Sequence, residues 1–121
     1  MTHYLLSFND GAMDHIPGED WPAVGKASHA VVQEAIDAGV WVYGGGVQRQ
    51  RASVVGTDGT VADGPYPATE AVIGGFSVVD VASREEALEW AAKFAVACRC
   101  AQEVREIMAD PEADEMLRRA R

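Results

Sequence analysis

Val61 to Phe76 reads VADGPYPATEAVIGGF, and this stretch decides the fold. Asp63, Gly64, Pro65, Tyr66 and Pro67 crowd an aspartate, a glycine and two prolines into one corner, a composition that fixes backbone direction. From Val72 to Val81 an apolar run predicts the longest strand, and its Gly74-Gly75 pair signals a bulge or a close backbone approach. The corner therefore closes whatever precedes it and launches a central strand.

Downstream, Ser83 and Glu86 have the spacing of a capping box, in which a hydroxyl and a carboxylate satisfy the free amides of a helix start. Ala87, Leu88, Trp90, Ala91, Phe94, Ala95 and Cys98 then give that helix a broad apolar stripe. Gln102 to Met108 alternates as a last strand, and the charged segment from Pro111 to Arg121 predicts a short terminal helix on the surface or reaching a neighbour.

Upstream, ASVVGTDGTVAD predicts a hairpin turning at Asp58-Gly59. Before it, Gly44, Gly45 and Gly46 release the backbone after the apolar run Val40 to Tyr43, whose strict alternation would put Trp41 and Tyr43 on one side. Trp21, Val24, Ser28, Val31, Val32, Ala35 and Ile36 recur at helical spacing, with Pro22 tolerable in the first turn and Gly39 as the stop. His3 to Phe8 predicts the first strand. The order is β-α-β, hairpin, β-α-β, an α+β, ferredoxin-like βαββαβ arrangement with an inserted hairpin. Its antiparallel sheet carries both helices on one face. The other face exposes an apolar row, which a two-fold dimer stacking the two open faces would cover. The domain is expected over residues 1–109, with 110–121 as a helical extension.

With 121 residues, 48% of them hydrophobic, one core is the expectation. A net charge of -9 repels nucleic-acid backbones and anionic membrane surfaces. The N-terminal MTHYLLSFNDG lacks a basic leader, and no apolar run approaches a membrane span, so the expectation is a cytoplasmic protein. Cys98 and Cys100, one residue apart, are too close for an unstrained mutual disulfide and too few for a zinc knuckle. No cofactor fingerprint is present, and no metal or cofactor is expected.

DGPY at 63–66, IGGF at 73–76, SREEALEWAA at 83–92 and VREI at 104–107 together resemble the YCII-related family in its DGPF-domain branch, over about residues 3–108. The resemblance implies a ferredoxin-like fold of the dimeric α/β-barrel kind, related to muconolactone isomerase-like enzymes. It implies acid/base chemistry by a histidine and an aspartate on a small organic acid or lactone. Where the branch usually reads DGPF-x-Glu-x-Lys-Glu, this chain has Ala68, Glu70 and Ala71.

His29 lies at the border of the first helix's stripe, ten residues ahead of Gly39, where YCII-like proteins carry a histidine. Histidine is the side chain whose charge changes most readily near neutral pH, which suits a general base; the alternative is a half-exposed histidine with no role. Asp63 either caps its own turn or serves as the partner acid/base group, and Tyr66 either covers the core or donates to a ligand oxygen. His29 and Asp63 are thus the catalytic candidates, with Gly64, Tyr66, Gly74 and Gly75 as ligand-binding candidates. His3 and His15 are expected to be solvated or structural. The alternative is a non-catalytic dimeric module that binds a small ligand or serves as an accessory to a regulator.

Overall fold

Period-two and period-3.6 segments alternate along the chain. In the computed structural model, which describes residues 1–48, 52–63 and 73–121, they become β1 (Thr2–Asn9), α1 (Trp21–Asp37), β2 (Trp41–Gly46), β3 (Ser53–Val55), β4 (Val61–Asp63), β5 (Ile73–Val81), α2 (Arg84–Cys98), β6 (Glu103–Glu106) and α3 (Pro111–Ala120). Four strands form an antiparallel sheet in the order β2-β5-β1-β6, and β3 pairs with β4 as a separate hairpin. This is the ferredoxin-like order, in which the first strand of each βα half lies in the centre.

The ends of the elements follow from local chemistry. Ser83 Oγ accepts from the Glu86 amide at 3.2 Å, starting α2 as expected. Gly39, with φ +75°, takes the left-handed position that ends α1. In the hairpin, Asp58 Oδ1 accepts from the Thr60 amide at 3.0 Å and from its hydroxyl at 2.7 Å, while Gly59 takes φ +84°. Arg99, left-handed at the end of α2, reaches Asp20 Oδ2 at 2.8 Å and ties that end to the start of α1.

Both helices cover the same sheet face. Leu6, Val79 and Val81 are fully buried beneath them, packed with Val31, Ala35, Ala87, Ala91 and Phe94. The buried ridges are narrower than the stripes the spacing predicts: Trp21, Ile36 and Leu88 are exposed. With about 100° between successive helical residues, Ile36 lies well round from buried Ala35, and Leu88 from buried Ala87.

A second correction concerns β2. Its register against β5 shifts between Trp41 and Tyr43, so Trp41 opposes Val79 on the helix side while Tyr43 opposes Val78 on the open side. The extra residue, Val42, breaks the alternation that would have kept both aromatics on one face. The three glycines, expected to end the strand, instead continue it, with Gly44 opposite Ser77, Gly45 opposite Phe76 and Gly46 opposite Gly75.

The open face carries Leu5, Tyr43, Phe76 and Val78, with the Tyr43 and Phe76 ring centroids 6.3 Å apart. Cross-strand neighbours His3 and Asp80 flank this row, His3 Nε2 lying 3.8 Å from Asp80 Oδ1. Beyond β6, Asp110 Oδ1 accepts from the Ala113 amide and caps α3, none of whose residues is buried.

Candidate functional site

The β2 glycines and the first turns after β1 leave a gap under α1 that apolar side chains do not fill. A cavity of about 340 Å³ occupies it. Phe8, Met13, Val32, Trp41 and Phe94 are among its apolar walls. Trp41 and Phe94 meet in a tilted contact with ring centroids 6.1 Å apart. Bare backbone at Gly44, Gly45 and Gly46 forms one side.

The polar groups around this cavity are few. His29, on the exposed border of α1, is part of the lining. Ser28 beside it spends its hydroxyl on the Gly25 carbonyl, donating at 3.0 Å. Ser77 and Cys98 are the remaining polar residues of the described lining, which also includes Phe76. Burial pushes the Cys98 thiol up to about 11, with a smaller contribution from neighbouring Cys100, so Cys98 presents a protonated thiol rather than a thiolate. The imidazole of His29 is therefore the proton-transfer group that the described lining offers.

Not every candidate residue falls on this cavity. His29 does. Gly75 serves the wall indirectly: a Cβ there would lie 2.5 Å from Phe8 Cζ, so its missing side chain makes room for the Phe8 ring. Gly74 faces backbone, with Asn9 O 2.7 Å from where its Cβ would be, beside the register shift between Phe8 and Asn9. The expected bulge and close approach are thus both present. Asp63 ends β4 opposite Ser53. Gly64 and Tyr66 lie outside the described residues. Phe8, Trp41, Phe94 and Gly46 were legible only as core or loop residues. The one signal that could have singled them out was a glycine run directly after an apolar strand.

A wider groove of about 660 Å³ runs between the outer sides of α1 and α2. Alanines make up half of its lining, and its cations are engaged: Lys93 with Glu34 at 3.0 Å, Arg99 with Asp20 at 2.8 Å. It offers no acid/base pair to a ligand. Among the described residues, no three histidine, cysteine or carboxylate side chains converge on a common point, and no helix is long and apolar enough to cross a membrane.

The YCII-related domain model matches residues 20–110, most of the chain. The protein belongs to the YCII-related family. Within this YCII-related protein the matched segment carries α1 with His29, the β2 glycines, β5 and α2, which is every described wall of the cavity except β1 and the turns after it. No curated protein matches the chain.

The raised Cys98 thiol has a consequence for stability in alkali. Its proton stays on in the folded state and leaves near 9.0 in the unfolded chain, so its contribution is complete below pH 9 and is lost as pH rises toward 11. Tyr4, raised above its usual 10.0 by burial and then by Glu106, adds to the loss at the upper end. The thermal midpoint is expected to fall across pH 9 to 11, and Cys98→Ala to flatten the first part of that fall. Identical slopes in both proteins would contradict the assignment.

Proposed function

We propose that this YCII-related protein is a small lyase or isomerase that moves a proton on a small organic acid or lactone, with His29 as the acid/base group. One observation carries the reading: exposed His29 lines a largely apolar cavity whose only other described titratable lining group, Cys98, is held protonated. A cavity of about 340 Å³ lies at the lower end of the range of roughly 300–1,000 Å³ typical of small-molecule sites, which suits a compact substrate. Asp63 is proposed as the partner carboxylate, on the strength of its place at the DGPY corner of the DGPF branch.

The test is a thermal-shift panel of small organic acids and lactones, followed by turnover assays on those that bind. Proton transfer by a positioned side chain contributes about 10²–10⁴-fold. His29→Gln is therefore expected to lower kcat by at least about a hundredfold while the thermal midpoint is unchanged. Ligands that bind without being transformed would instead establish the alternative, a non-catalytic binding module.

We further propose that two copies stack their open sheet faces. Leu5, Tyr43, Phe76 and Val78 form the apolar row that such stacking removes from water, and Tyr43 is 68% exposed in the single chain. Sedimentation should give twice the 12.9 kDa chain mass, and Tyr43→Asp should return it to one. A wild-type mass of 12.9 kDa at micromolar concentration would sink the dimer.

A further inference from the structure

The three β2 glycines have different reasons to be glycine. Gly44 has no choice, because a Cβ there would lie 2.5 Å from the Phe76 carbonyl oxygen and 2.8 Å from Ser77 Cα. Gly46 has neither constraint: its φ lies outside the left-handed region, and a Cβ would meet nothing within 4 Å among the described residues. At the end of β2, paired with Gly75, a glycine gives up a packing position without a local steric return among the described residues. Alternation settles which way the missing side chain would point. Gly44 and Gly46 share a side of β2, and the Gly44 Cβ would meet the Trp41 ring, which stands on the helix side. The space beside Gly46 is thus the space of the cavity, and its backbone is part of the cavity wall.

We infer that Gly46 is the size-determining position of this cavity, leaving room for one edge of a ring-bearing ligand. The ring class follows from the walls, where Phe8, Trp41 and Phe94 present aromatic surface. The inference rests on reading the cavity as a ligand site and adds the residue that limits what enters it.

Equilibrium titrations with benzoate and 1-naphthoate, followed through the indole resonance of Trp41, test it on wild type, Gly46→Ala and Gly46→Leu. Wild type is expected to bind both probes. A single added methylene changes pocket affinity by about 10–200-fold, so Gly46→Leu should weaken both probes by at least roughly tenfold. Gly46→Ala should weaken 1-naphthoate more than benzoate. Should Gly46→Leu fail to fold, the Gly46→Ala ratio decides alone. Unchanged affinities in a folded variant overturn the inference and leave the cavity reading intact, whereas a wild type that binds neither probe overturns both.

Discussion

Gly44→Ala is expected to lower stability by about 2–3 kcal/mol, the scale of overpacking against atoms that cannot turn aside. The added Cβ would press on the Phe76 carbonyl oxygen and Ser77 Cα, which are backbone atoms of the central strand β5, and on the edge of the Trp41 ring 2.9 Å away. A flexible side chain could swing clear of such a contact; a paired strand can move only by giving up its hydrogen bonds. The matched control is Gly45→Ala, whose Cβ meets nothing within 4 Å among the described residues. There the loss of unfolded-state freedom should leave stability unchanged or raised by about 0.4–1 kcal/mol. Thermal unfolding of the two variants side by side decides the matter, since about 2–3 kcal/mol separates midpoints by roughly 10 °C in a domain of this size. Equal midpoints would mean that β2 and β5 do not approach as described.

Phe94→Ala should cost about 3–5 kcal/mol, the usual penalty for emptying a buried aromatic site. Phe94 is 4% exposed, lines the cavity and packs against Trp41, so its removal joins a new void to an existing one. Collapse is limited because part of the lining is glycine backbone with no side chain to move inward. Urea denaturation should show a lower midpoint at an unchanged slope, and Phe94→Leu should fall between the two. A loss below about 1 kcal/mol would place the ring outside the core.

The ferredoxin-like frame was legible because each element carries a periodicity matched by its packing: Tyr4, Leu6 and Phe8 alternate, and Val24, Val31 and Ala35 recur by turns. The bulge at Val42 was not, because VWVY is apolar at every position and shifting its pairing by one residue leaves no polar residue on the wrong side. The glycine run was misleading for a related reason. Low strand propensity predicts a break, but pairing to β5 on one side holds Gly44 to Gly46 extended regardless of preference. His29 stood out as a polar residue at the edge of an apolar stripe. The walls around it did not, since Trp41 and Phe94 have the same pattern whether they fill a core or border a hollow.

The single extra residue in β2 also bears on how this protein can change over generations. Ahead of Val42, Trp41 faces the helices and the cavity; beyond it, Tyr43 faces the uncovered side of the sheet. Had the strand kept strict alternation, these two positions would have shared one environment, and selection on fit to the proposed ligand would have constrained the same surface as selection on the proposed subunit contact. The offset divides that burden between neighbouring residues. Drift at position 43 can retune the outer surface while position 41 continues to answer to what the cavity holds.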